Sequence, residues 1–177
     1  MDNYFSLFEL PLSLRPDAAE AKKMFYKLSK QYHPDRVAQT DETAKAEVLQ
    51  KAAMVNEAYK TLSDPDKTIA YVLRLFKMLE EEEKYELPPA FLMEMMDLNE
   101  AVSDYEDAPE NEPLKIQAEQ ALAEQLESWE NQMQQLIPLF EQTEEKETVL
   151  MKIKDFYFRK KYLLRIKERF STFASRR

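Results

Sequence analysis

None of the 177 residues in this chain is glycine. Glycine supplies positive backbone φ angles and lets backbones approach closely. Tight Asn-Gly hairpins, dinucleotide-binding fingerprints and P-loops all depend on those properties. What remains favours helix, because long stretches are rich in Ala, Leu, Glu, Lys, Gln and Met. Apolar residues also recur at helical spacing. Ala21, Phe25, Leu28 and Tyr32 step by four, three and four, and Val48, Ala52, Val55, Tyr59 and Leu62 repeat the pattern. Each set lines one face of a helix. The expected fold is all-α.

Other absences narrow the chemistry. With no cysteine, disulfides, thiolate metal sites and cysteine nucleophiles are excluded. His33 is the single histidine, so a transition-metal site would have to be almost wholly carboxylate. No metal, no cofactor and no catalytic residue is expected. No apolar run reaches the length of a membrane span, and no basic leader precedes an apolar stretch at the N-terminus. The expectation is a soluble, cytoplasmic protein that does not engage membranes.

Charge divides the chain in three. Residues 1–76 carry 11 Lys/Arg and 11 Asp/Glu, residues 77–145 carry 3 against 20, and residues 146–177 carry 11 against 3. An acidic segment followed by a basic one suggests antiparallel helices with complementary charge. Acidic helices folded beside the basic tail would repel phosphate, so nucleic acid is not an expected partner.

Punctuation along the chain gives the elements. Residues 4–10 form a short apolar helix ending before Pro11. Asp17 with Glu20 resembles a capping box and opens a helix to about Tyr32. Thr40 or Asp41 can cap the next helix, about 41–62, and Asp64-Pro65 starts a fourth carrying Ile69, Val72, Leu73 and Phe76. The run Glu80–Glu83 reads as a solvated linker or helix end. Pro88-Pro89 starts a helix to about Tyr105. A long one follows over about 113–142, with a bend expected near Pro138, and the last covers about 145–173. The expected division is a four-helix module over 1–76, an acidic linker over 77–87 and a three-helix bundle over 88–177.

His33-Pro34-Asp35 falls at the tip of the first helical hairpin. Proline cannot continue a helix and biases its predecessor away from helical angles, so the corner turns a histidine and a carboxylate outward. Acid–base catalysis would need a nucleophile or substrate pocket, and the sequence contains no such constellation. Alone, the tripeptide would be only a connecting turn.

Its neighbours give it meaning. The segment from Ala21 to Arg36, which includes Lys22, Lys23, Lys27 and Lys30, resembles helix two and the signature loop of a J-domain. Asn56 to Pro65 resembles the end of that family's helix three. The resemblance implies a co-chaperone that stimulates the ATPase of a DnaK-class chaperone, docking through His33, Pro34, Asp35 and Arg36 with the lysine face beside them. A basic face suits an acidic chaperone surface and speeds encounter more than it adds affinity. Tyr26 departs from the pattern, since many J-domains have a basic residue there. Each lysine could equally belong to an ordinary solvated face; the reading rests on the cluster.

In the second half, Phe91, Met95, Leu98, Val102 and Tyr105 recur at helical spacing and can face a core. Leu92, Met93 and Met96 then fall to the side, bordered by Asp97, Glu100 and Asp104. Either they widen the core stripe or they form a protein-binding patch, for which unbranched, polarizable methionine is suited. The segment Pro89-Ala90-Phe91-Leu92-Met93-Glu94 behind a J-domain resembles the HscB family of iron–sulfur cluster assembly. That resemblance spans essentially the whole chain. It implies a DnaK-class partner like HscA and a scaffold client like IscU, bound through Leu92, Met93, Met96, Asp97, Glu100 and Asp104. It also implies an aromatic on the last helix, where Phe156, Tyr157 and Phe158 all compete and Tyr157 is preferred. Trp129, with Leu122, Leu126, Met133, Leu136 and Phe140, reads as core. Lacking cysteine, the chain would not hold a cluster on its own thiolates, so the scaffold would carry it. Alternatives are a J-domain protein for a different client, or a helical adaptor in which the tripeptide is an accident.

Overall fold

The computed structural model describes residues 3–33, 35 and 42–175. Among these the architecture is helical, without strands, and runs α1 (Tyr4–Leu7), α2 (Ala18–Gln31), α3 (Glu42–Leu62), α4 (Pro65–Leu75), α5 (Pro89–Glu94), α6 (Met96–Asp107), α7 (Glu112–Gln142) and α8 (Lys146–Ser175). The chain divides into two compact units, Met1–Phe76 and Lys77–Arg177.

Helix starts in the first unit follow local chemistry. The first N–H groups of a helix have no partner within it, and a side-chain acceptor just before the helix satisfies one of them. Asn3 accepts from the Ser6 N–H at 2.9 Å and Asp17 from the Glu20 N–H at 2.8 Å. Asp64 accepts from both the Asp66 and Lys67 N–H groups, with Pro65 in the first helical position. The Glu20 carboxylate pairs with Lys23 at 3.1 Å. The expected caps Thr40 and Asp41 lie outside the described residues.

Helices α2 and α3 pack against each other as an antiparallel hairpin. Phe25 stacks on Tyr59 at 4.3 Å near the base, and Lys51 lies over the Tyr32 ring at 5.5 Å near the tip. Leu28, Val55 and Leu62 are buried with Phe5, Phe8, Leu14, Ile69 and Leu73. Phe25 and Tyr59 are half-buried, closing the edge of that core as a pair. Helix α1 is held by Tyr71, whose ring stacks on Tyr4 at 4.4 Å and whose hydroxyl accepts from the Tyr4 N–H at 2.9 Å. That bond satisfies one of the helix's orphan donors, and burial pushes the Tyr71 pKa up.

In the second unit α6 and α8 each pack on α7 and on each other. Trp129 sets the α7–α8 register: its indole N–H donates to the Phe156 carbonyl at 2.7 Å, and the Lys160 ammonium lies 4.3 Å from the ring centroid. Leu122, Trp129, Met133, Leu136 and Phe140 are buried as expected, while Leu126 is half-buried. Helix α7 runs through Pro138 to Gln142.

Besides the early end of α1 at Leu7, short of the expected residue 10, two features depart from the sequence reading. The helix expected from Pro88 to Tyr105 is interrupted at Met95, whose φ and ψ are −85° and −2°. The Met95 carbonyl accepts from the Asn99 side-chain amide at 2.7 Å as well as from the Asn99 backbone N–H at 3.0 Å. The same amide reaches the Tyr162 hydroxyl at 2.9 Å. The backbone bond onto the Met95 carbonyl is kept, so the Asn99 amide adds to the ladder at the break and ties it to α8 through Tyr162. Secondly, the acidic run is not uniformly solvated. Glu80, Glu81 and Glu82 are exposed, but Leu79 is buried and Glu83 pairs with Lys154 on α8 at 2.5 Å.

Chain reversals without glycine fall on ordinary residues. Glu9, Lys77 and Glu82 take left-handed φ values of 53°, 58° and 56°. For a residue with a Cβ that conformation costs about 1–2 kcal/mol.

Candidate docking sites

Helix α2 ends at Gln31, its cap Tyr32 donating its N–H to the Leu28 carbonyl, and His33 follows at the corner. His33 and Asp35 are both exposed, with side-chain exposures of 58% and 88%. They hold each other: the Asp35 N–H donates to His33 Nδ1 at 3.3 Å, and that nitrogen lies 3.5 Å from the Asp35 carboxylate. An exposed histidine fixed by its neighbour two residues on can present a contact. Pro34 and Arg36, also expected in this site, lie outside the described residues.

Lys22, Lys23, Lys27 and Lys30 are exposed along α2. Lys23 pairs with Glu20, and Lys27 with Glu9 at 3.2 Å. Exposed pairs of this kind are worth about 0–1 kcal/mol, so an acidic partner can displace them at small cost. Tyr26 lies among these lysines and is 62% exposed.

On the second unit Phe91, Met95, Leu98, Val102 and Tyr105 are all buried, as their spacing predicts. Leu92, Met93 and Met96 are not part of that stripe: they are 42%, 69% and 63% exposed. Asp97, Glu100 and Asp104 are exposed on the same helix as Met96. The result is a short apolar surface bordered by carboxylates.

A network that the sequence did not reveal supports this surface from beneath. Segment 77–88 lies against α8 through Tyr85, whose ring stacks on Phe158 at 4.4 Å and whose hydroxyl donates to Asp155 at 3.0 Å. Burial and the Asp155 carboxylate push the Tyr85 pKa up to about 12. Asp155 also meets Arg159 Nε at 2.7 Å, and the Arg159 guanidinium lies 5.0 Å from the Phe91 ring and 5.2 Å from the Phe156 ring. Tyr162 meets Phe91 edge-on at 5.7 Å. Phe91 precedes Leu92, so these contacts fix the base of α5. They also connect Phe156 to that helix. The preferred aromatic Tyr157 is half-buried and instead contacts Phe158 and Lys161. Asp155 and Arg159 are four apart on one helix, but their partners Tyr85 and Phe91 are distant in sequence, so periodicity could not find this network.

Among the described residues there is no cluster of His, Asp and Glu able to hold a metal ion, and no helix is long and apolar enough to cross a membrane.

A helical hairpin with histidine and aspartate exposed at its tip and a lysine face behind them defines a J-domain co-chaperone, and residues 3–71 match the DnaJ domain model. Residues 87–171 match the model described as HSCB C-terminal oligomerisation domain. The Co-chaperone protein HscB homolog of Photobacterium profundum is 32% identical over 136 residues, which cover 76% of this chain and 80% of that protein. The homolog of Vibrio cholerae is 38% identical over 99 residues, 55% of this chain and 58% of that one. The crystal structure of human co-chaperone protein HscB superposes with a TM-score of 0.76 at 25% identity, covering 97% of this chain and 82% of the human one. HscB from Vibrio cholerae gives a TM-score of 0.64 at 27% identity over 95% of this chain and 99% of that one. The chain belongs to the HscB co-chaperone family.

Proposed function

We propose that this co-chaperone is a two-ended adaptor working in the cytoplasm. Its first unit docks on a DnaK-class chaperone of the HscA type and stimulates ATP hydrolysis there, through His33, Pro34, Asp35 and Arg36 with Lys22, Lys23, Lys27 and Lys30. Its second unit binds an iron–sulfur scaffold protein of the IscU type through Leu92, Met93 and Met96, with Asp97, Glu100 and Asp104 as the rim. The hydrolytic chemistry belongs to the chaperone, so this chain acts as a regulator. Holding client and chaperone on one molecule raises the local concentration of each at the other.

The observation carrying the reading is the exposure of Leu92, Met93 and Met96 on α5 and α6, whose shared core stripe from Phe91 to Tyr105 is already buried. Apolar side chains left in water beside a finished core are most simply explained by a partner that covers them. For the aromatic on α8, the Arg159 bridge to Phe91 favours Phe156 as the residue sharing that surface. Tyr157 remains the competing choice, and truncating each to alanine separates them by which one lowers scaffold affinity.

Client identity is tested by titrating the purified scaffold protein into this chain. Binding that disappears with Leu92→Ala, Met93→Ala and Met96→Ala combined supports scaffold delivery. Absence of binding together with intact ATPase stimulation identifies a J-domain protein for another client.

A further inference from the structure

The docking corner contains more than charge. Tyr26, Ser29, Lys30 and His33 line a shallow cavity of about 510 Å³ whose walls are more apolar than polar. Ser29 and Lys30 are spaced three and four from Tyr26 and share its helical face, and His33 follows just past the end of α2. That face is distinct from the Ala21, Leu28 stripe buried in the hairpin. The Tyr26 ring leans on Phe25 at 5.8 Å, and Phe25 is stacked on Tyr59, so the aromatic is braced from the core side and open on the other.

We propose that Tyr26 is an aromatic anchor within the docking site, seating an apolar side chain that is flanked by carboxylates on the chaperone. This inference rests on the reading of the corner as a chaperone-docking site. Charge complementarity indicates the partner's chemistry: the exposed lysines on α2 favour an acidic surface around whatever enters the cavity. Tyrosine is well suited to such a role because it supplies a large contact area with only two side-chain rotors to order. Interface energy concentrates at buried aromatics, while charges around them mainly steer encounter. Tyr26 therefore governs how long the complex lasts, and the lysines govern how fast it forms.

The test is stimulation of a purified DnaK-class chaperone's ATPase by the full chain. Tyr26→Ala raises the half-maximal concentration about tenfold, as expected for a buried interfacial aromatic. Tyr26→Phe stays within about twofold of the parent, because the contact is to the ring. Raising salt from about 50 mM to about 300 mM shrinks the effect of Lys27→Gln but preserves that of Tyr26→Ala, since only charge is screened. His33→Gln, run alongside, distinguishes the levels of failure. If it abolishes stimulation while Tyr26→Ala behaves like the parent, the anchor is overturned and the docking site stands. If His33→Gln stimulates normally, the docking site is overturned. A Tyr26→Phe loss as large as that of Tyr26→Ala also overturns the anchor. Thermal unfolding of each variant, expected to match the parent because Tyr26 is exposed, removes misfolding as an explanation.

Discussion

The two candidate docking regions carry opposite charge around an apolar centre. On α2, lysines surround Tyr26 beside His33; on α5 and α6, carboxylates border Leu92, Met93 and Met96. On the proposed two-ended reading, each rim would attract one sign of partner and repel the other, which discourages the two ends from exchanging partners. Their support differs as well. The corner is held by contacts within three residues, His33 to Asp35. The acid-rimmed face depends on residues far apart in sequence, with Arg159 between Phe91 and Phe156, and Asn99 between Met95 and Tyr162. A short exposed motif can thus be recognised from sequence, whereas a surface supported at long range requires the fold.

The contrast makes the corner the sharper target. His33→Gln abolishes ATPase stimulation without lowering the melting temperature, because the side chain is exposed; normal stimulation would show that the corner is only a turn. Core truncations come next. Phe8→Ala in the first unit and Phe140→Ala in the second each remove a fully buried ring and cost about 3–5 kcal/mol by denaturant unfolding. If scaffold affinity falls as steeply with Phe8→Ala as with Phe140→Ala, the units do not bind separately. Asp64→Ala removes a side chain that caps two N–H groups of α4 and costs about 1 kcal/mol.

The smallest effect concerns pH. The hydrogen bond from the Lys154 ammonium holds the Glu83 carboxyl below the usual glutamate range. Its stabilisation is therefore fully present above the ordinary glutamate pKa of about 4.3 and is lost as pH falls through the depressed value. Melting temperature followed from neutral to acid pH should decline less steeply in Glu83→Gln than in the parent. Identical profiles would mean that the pairing of segment 77–88 with α8 contributes nothing to stability. Tyr85 has the opposite sign: its raised pKa stabilises fully below the ordinary tyrosine value of about 10, and that contribution is lost as pH rises towards about 12.

Most helices were legible because capping residues and apolar spacing are local. Asp17 and Asp64 mark their helix starts, and the stripe from Phe91 to Tyr105 was correctly placed in the core. The interruption at Met95 was not legible, because that stripe passes through it unbroken, and the tie from Asn99 to Tyr162 joins residues 63 apart in sequence. Glu83 looked like the rest of its charge run because Lys154 is distant in sequence. For the same reason the sequence-based preference for Tyr157 among three consecutive aromatics on α8 had little to rest on: Arg159 lies over the Phe91 and Phe156 rings, while Tyr157 contacts Phe158 and Lys161.

The two-ended arrangement is tested most directly by calorimetric titration of the iron–sulfur scaffold into three proteins: the parent, the Leu92→Ala/Met93→Ala/Met96→Ala variant and the His33→Gln variant. Separate docking ends give binding that is lost in the triple variant and unchanged in His33→Gln. Equal scaffold affinity in the triple variant and the parent would contradict it.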